Sequence, residues 1–344
     1  MPMTPEEARA FHRSILVVDE TAPLLGAIPE TFRLWKEGGA TAVAPTIALN
    51  HGVAETIARI GVWLRFIDAH ADELLLIREA SDLERAHRED LLGIVFHFQN
   101  SVPVGQDLNM VTVYHDLGVR MIQLAYNQKN FVGDGCEERT NAGLSRFGLE
   151  LVAEMNRLGI IIDLSHTGHR TTLEAAEASR APVMFSHANP RAVHHNPRNI
   201  LDDQIEAVAR SNGLIGIVGY PAFVSASRSP KVADLLPHVE YLVDLVGIDH
   251  VGVGIDYFEK MAGFAADEDA KAWYEGALRS GQWSSESYPP PPWHYPAEIA
   301  GPSTLHELTV GLLDHGFGEE DVRKVMGGNF ARVFGEVRAL GRGR

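Results

Sequence analysis

Eight short runs rich in Val, Ile and Leu recur along the chain, each closing on a polar residue, with helical patterns between them. They lie at 14–20 (SILVVDE), 41–46 (TAVAPT), 93–100 (GIVFHFQN), 120–127 (RMIQLAYN), 159–166 (GIIIDLSH), 182–187 (PVMFSH), 214–220 (LIGIVGY) and 250–256 (HVGVGID). The intervening 148–159 spaces its apolar residues as a helix does and stops at Gly159, and 171–180 repeats the pattern. Strands separated by helices pair in parallel, and runs without polar alternation are buried on both faces. The pattern predicts an α/β chain folded as a single (β/α)8 TIM-type barrel spanning 1–344. An open doubly wound sheet would carry a Gly-rich phosphate turn after its first strand, and VVDETAPLLG has no GxGxxG.

One segment breaks the rhythm. Residues 257–302 hold Trp273, Trp283, Trp293 and the prolines 289–292, with helical character only around KAWYEGALRS. A long loop after the last strand sits at the catalytic end of a barrel, so it is expected to be a lid or pocket wall, with a plain surface excursion as the alternative.

Charge and cysteine content then exclude whole classes. With 46 acidic against 30 basic residues the net charge is −16, which repels phosphate backbones, so nucleic acid is not an expected partner. The lone Cys136 permits no internal disulfide and no multi-thiolate zinc site. The polar first residues and the lack of an apolar run of ~18–20 residues argue against a signal peptide and a membrane span. A cytoplasmic enzyme is the expectation.

In such a barrel the chemistry lies at the C-terminal strand ends. Those ends supply Asp19, Thr46, Gln99, Tyr126, Asn127, His166, His187, Tyr220 and Asp256. His166 and His187 close consecutive strands, each preceded by serine. Neighbouring strands lie ~4.8 Å apart, close enough for two imidazoles to share one ion at ~2.0–2.1 Å per bond. Asp256, ending the last strand, can point into the same mouth as ligand or general base. Bland readings suit others: His12 and His51 as solvated, Asp163 bonded to backbone or a neighbouring strand end, Cys136 as packing, and Asn329 bonded to backbone in a turn.

DLSH, the following SH, HNPRNILDDQI (195–205), VGVGID and VMGGNFARVF (325–334) together resemble the renal or membrane dipeptidase family of metallo-barrels, a likeness running from Leu16 to Phe334. The resemblance implies that His166 and His187 bind zinc, that Asp256 serves metal and proton transfer, and that Arg198 holds the substrate's carboxylate. A homodimer is also implied. The departures are specific. Where the family's first strand ends Asp-Gly-His-Asn-Asp, this chain reads Asp19-Glu20-Thr21-Ala22-Pro23, without the His and Asp ligands. Gln99 stands for the bridging glutamate, and Tyr126 for a histidine after the fourth strand.

A pair of cations ~3.5–4 Å apart depends on a bridging carboxylate, which a glutamine cannot supply. The expectation is therefore one zinc (or another divalent ion) per chain on His166 and His187, helped by a water and by an oxygen of Asp256 or Gln99. It would activate water against a dipeptide or small amide with a free carboxylate. Asp256 would move the proton, and Tyr126 and Asn127 would donate to the oxyanion. The alternative is a barrel that has lost dipeptidase chemistry and binds, or acts without metal on, a small carboxylate.

Overall fold

The structure is a computed structural model that describes residues 3–23, 26–27, 29–258 and 265–342. Ten parallel strands form its sheet: β1 (Val18–Ala22), β2 (Ala42–Ala48), β3 (Leu74–Leu76), β4 (Leu92–Ile94), β5 (Phe96–Phe98), β6 (Val119–Gln123), β7 (Ile161–Asp163), β8 (Val183–Phe185), β9 (Leu214–Ile217) and β10 (Val251–Val253). From β5 to β10 each strand pairs with its successor in sequence, as right-handed crossovers dictate. Every anticipated strand is present, and together with the surrounding helices they make the (β/α)8 barrel. β4 and β5 are one stave interrupted at Val95: β4 pairs with β2 and β3, β5 with β2 and β6. β3 went unnoticed in the sequence because three leucines running into a helical pattern carry no strand period.

The strands are apolar through and through because both faces are covered. Val43, Ile47, Phe96, Ile122, Ile162, Phe185, Ile215 and Val253 are fully buried or nearly so in a core shared with the outer helices. The helix Arg146–Leu158 buries Leu151, Val152 and Met155 and ends at Gly159, whose φ of 69° is a left-handed cap that costs glycine little. Asn329 donates to the carbonyls of Ile248 and Val251, tying the C-terminal helix to the start of the last strand.

The first and last staves meet without a backbone ladder. The carboxyl of Asp19 accepts from the Ile255 amide at 3.0 Å and that of Glu20 accepts from the Val253 amide at 3.2 Å. Asp19 also takes the Trp35 indole proton at 2.8 Å. Glu20 fits because its neighbours lack side chains: a Cβ at Gly252 would lie 2.1 Å from its Oε1, and one at Gly216 2.5 Å from its Oε2. The chain thus puts two acids into the seam of its own barrel.

Within 257–302 the structure has a helix, Asp267–Arg279, and a short turn, Ala297–Ile299. Residues 259–264 of that segment lie outside the described residues.

Candidate active site

Three polar residues leave their strands in left-handed backbone: Asn127 (φ 55°), His166 (φ 63°) and Asp256 (φ 66°). Residues with a Cβ avoid this region at a cost of order 1–2 kcal/mol each, and such outliers gather where side chains must be aimed. All three stand at the C-terminal mouth, where the sequence placed them.

His166 and His187 come together there, both buried, with their Nε2 atoms 2.8 Å apart. Their other nitrogens decide what that contact is. Asn127 Nδ2 donates to the Gln282 carbonyl and the Tyr288 hydroxyl, which turns Oδ1 toward His166 Nδ1 at 2.7 Å. The proton in that bond belongs to His166 Nδ1. Ser186 Oγ gives its proton to Asp163 Oδ2 at 2.7 Å and so must accept from His187 Nδ1 at 2.8 Å. Burial, reinforced by the Arg198 charge, holds both imidazoles well below their ordinary pKa, so each keeps one proton, on Nδ1. Both Nε2 atoms then carry bare lone pairs aimed at one another. The contact has the length of a hydrogen bond and no proton to make one.

Asp163 anchors this arrangement. Its Oδ1 accepts from the amides of Ser165 and Ser186, and its Oδ2 from Ser186 Oγ and, at 3.0 Å, from His97 Nε2. Burial alone would raise its pKa, but the His97 and Ser186 hydrogen bonds hold it ionised, below the ordinary carboxylate range. The expectation for Asp163 stands here: it binds backbone and a neighbouring strand end, with His97 facing inward to meet it.

His166 forms part of two cavities. The larger, about 280 Å³, includes Gln99, Tyr126, Tyr220, Asp256, Trp283 and Tyr288 in its wall. Burial pushes the Asp256 carboxyl up to about 8, with Arg198 pulling it partly back. Gln99 donates through Nε2 to Thr21 Oγ1 at 3.3 Å. Tyr126 stacks on His166, ring centroids 3.9 Å apart, and its hydroxyl accepts from Trp283 Nε1 at 3.0 Å, leaving its own proton free to donate. The smaller cavity, about 120 Å³, is lined by Cys136, Arg191 and Arg198. Arg198 is buried with no carboxylate bonded to it: Nε meets the Tyr288 hydroxyl at 3.2 Å, the guanidinium lies 5.2 Å from the Phe223 ring centre, and Nη2 has no partner.

The structure corrects three readings and adds residues to the site. Asn127, expected to donate to substrate, has its amide protons committed to Gln282 and Tyr288 and is fully buried; it orients His166 instead. His12, set aside as solvated, is buried between Thr309 Oγ1 and the Gly38 carbonyl. His51, likewise set aside, lines the larger cavity, as do Trp273, Trp283 and Tyr288 from the segment after the last strand. A discontinuous wall of this kind has no local sequence period to betray it. Cys136 donates to Asn127 Oδ1 at 3.4 Å, and burial pushes its thiol up to about 11, so packing describes it better than nucleophilicity.

One divalent ion fits the donor set, because two neutral imidazoles with facing lone pairs are Lewis bases lacking an acid. Thr21 is held by Gln99, Pro23 offers no donor, and no group of three or more His, Cys, Asp or Glu converges to hold an ion among the described residues.

The chain is similar to several known proteins. The model of the membrane dipeptidase family (peptidase family M19) matches residues 35–279. Dipeptidase aclJ of Aspergillus oryzae is 29% identical over 296 residues, 84% of this chain and 63% of that protein. An amidohydrolase structure from Pseudomonas aeruginosa superposes with a TM-score of 0.85 at 31% identity, covering 98% of this chain and 100% of that one. A Rhodobacter sphaeroides metallo peptidase, solved with a phosphinate mimic of L-Ala-D-Ala, shares the fold at TM-score 0.77 and 21% identity, over 94% of this chain and 99% of that one. The chain spans less than two thirds of the length of the curated relatives it matches. No helix among the described residues is long and apolar enough to cross a membrane.

Proposed function

The chain belongs to the membrane dipeptidase family, peptidase family M19, and from that premise we propose that it is a metal-dependent hydrolase of a dipeptide or small amide bearing a free carboxylate, working with one ion per chain. The facing lone pairs of His166 and His187 are the observation that carries this reading. Zinc suits two imidazoles and a neutral oxygen, and Gln99 is the side chain in the cavity wall that can add that oxygen. A metal-free barrel that merely binds a carboxylate leaves the opposed lone pairs without a purpose.

The ion would supply Lewis acidity, lowering the pKa of water beside it toward ~7. The protein's residues do the rest. Arg198, carrying an uncompensated buried charge, draws in the substrate carboxylate through the free Nη2. Asp256, raised to about 8, is poised to take a proton near neutral pH and pass it to the leaving amine. Tyr126 donates its hydroxyl proton to the oxygen that gains charge. Asn127 and the Asp163–Ser186 pair fix the tautomers of the two histidines. Phe258, Trp273, Gln282, Trp283 and Tyr288, from the segment after the last strand, serve as the pocket wall. A cytoplasmic protein without a nucleic-acid partner completes the proposal, the single cysteine and the acidic charge being its support, and a homodimer is suggested by the family resemblance alone.

Metal analysis of the purified protein tests this directly. We expect one zinc per chain, its loss in His166→Ala and His187→Ala, and hydrolysis of a dipeptide panel that stops on chelation. Protein that takes up no divalent ion and hydrolyses nothing in its presence removes the mechanism.

A further inference from the structure

The larger cavity is walled by aromatic rings to an extent that amide hydrolysis does not require. Tyr126, Tyr220, Phe258, Trp273, Trp283 and Tyr288 all face it. Their planes stand steeply to one another: Trp283 makes 73° with Trp273 at 4.5 Å between centroids and 75° with Tyr220 at 6.0 Å. Rings so arranged close a corner and present a guest with faces and edges from several directions. The corner is fixed in advance. Trp283 stacks on Tyr288 at 4.0 Å and 8°, its Nε1 is held by the Tyr126 hydroxyl, and the Tyr274 hydroxyl ties down the Tyr288 carbonyl.

Among the described residues lining this cavity, Asp256 is the one carboxylate, and no lysine or arginine is present. The Asp256 carboxylate accepts no hydrogen bond from the described residues, while its main-chain carbonyl is taken by the Tyr295 hydroxyl. The Tyr220 hydroxyl is buried without a partner. A primary ammonium leaving water needs an acceptor for each of its three N–H groups. A methylated ammonium is weakly hydrated, spreads its charge over methyl groups, and is held by ring faces and a single carboxylate. Besides Asp256 and the tyrosine hydroxyls the wall's side-chain oxygens are those of Asn50, already bonded to Asn100, and of Gln99 and Gln282, and ring faces make up much of the rest, which suits the second kind of cation.

We propose that this half of the cavity is a cage for a methylated ammonium group, so that the substrate carries a tertiary or quaternary nitrogen at the end remote from its carboxylate. His166 lines both the cage and the cavity that holds Arg198, so the two ends of such a zwitterion would meet opposite charges on either hand of that imidazole. The net charge of −16 favours the approach of cations. The word substrate rests on the hydrolase reading above; the binding does not.

Calorimetry on the full chain, stripped of metal by chelation, tests the cage with choline and its neutral isostere 3,3-dimethylbutan-1-ol. These differ in charge and scarcely in shape. Choline is expected to bind roughly 10- to 30-fold tighter, the worth of a desolvated cation–π contact. Trp283→Leu should erase that preference and the milder Trp273→Phe should keep most of it. Equal binding of the two probes, or no binding of choline, overturns the cage. With metal restored, alanyl-alanine carrying a dimethylated N-terminus should be hydrolysed with at least ~10-fold higher kcat/KM than the unmodified dipeptide. Faster hydrolysis of the unmodified dipeptide sinks the cage and leaves the hydrolase standing. Choline preference without any hydrolysis sinks the hydrolase and leaves the cage.

Discussion

His166 and His187 face each other across 2.8 Å with both protons turned away, one into Asn127 and the other into Ser186. The metal preference follows from this relationship and from what surrounds it. Gln99→Glu should tighten binding of a single ion by adding a charged donor, yet metal content should stay at one per chain, because Thr21 and Pro23 still offer no second set of ligands. Two ions per chain in that variant, by elemental analysis, would contradict the single-ion site.

Asp256 has an ordinary pKa of 3.8 and is lifted to about 8 by burial. A base works only when ionised, so kcat/KM should climb as pH rises toward 8 and level off above it. Asp256→Asn should remove that limb and lower kcat by roughly 10²–10⁴-fold. A variant that keeps the wild-type pH profile would assign the proton transfer elsewhere.

Arg198 holds a buried charge with no carboxylate hydrogen-bonded to it, which burdens the empty protein. Replacing it with methionine should therefore stabilise the fold, by about 1–3 kcal/mol, while raising KM for carboxylate-bearing substrates. Thermal melting and steady-state kinetics read the two effects separately. A melting point lowered in Arg198→Met would show that the guanidinium is already compensated.

Glu20 occupies the space that a Cβ at Gly252 would need, 2.1 Å from its Oε1. Gly252→Ala should destabilise the protein by about 1–3 kcal/mol through overpacking, and Glu20→Ala in the same chain should relieve most of that penalty. Denaturant titration of the four proteins in this cycle gives the coupling. Additive effects would place the strain outside this pair.

Eight staves were visible because parallel strands buried on both faces leave unbroken Val/Ile/Leu runs, and His166, His187 and Asp256 were visible because they close three of those runs. The roles of Asn127 and His51 were not. The first depends on which amide hydrogen bonds to a carbonyl 155 residues away, and the second on a cavity wall assembled from separate loops. Trp273 and Trp283 were marked by the sequence as belonging to a lid or pocket wall, but their convergence with Tyr288 into one corner follows no helical or strand spacing. Asp19 was legible as a strand-end residue, but its bonding to the far end of the chain depends on ring closure, which no local pattern encodes.

The seam has a consequence for the molecule as a mechanical object. Elsewhere around the ring adjacent staves are stitched by amide-to-carbonyl bonds indifferent to pH, whereas β1 and β10 are joined through two carboxyl groups that burial pushes upward, Asp19 to about 7 and Glu20 well above its ordinary value. A rise in pH from the ordinary carboxylate range through neutrality charges Asp19, and further rise charges Glu20, inside the closed wall while the stitching is untouched, so the seam is the one join in the ring whose strength depends on proton activity.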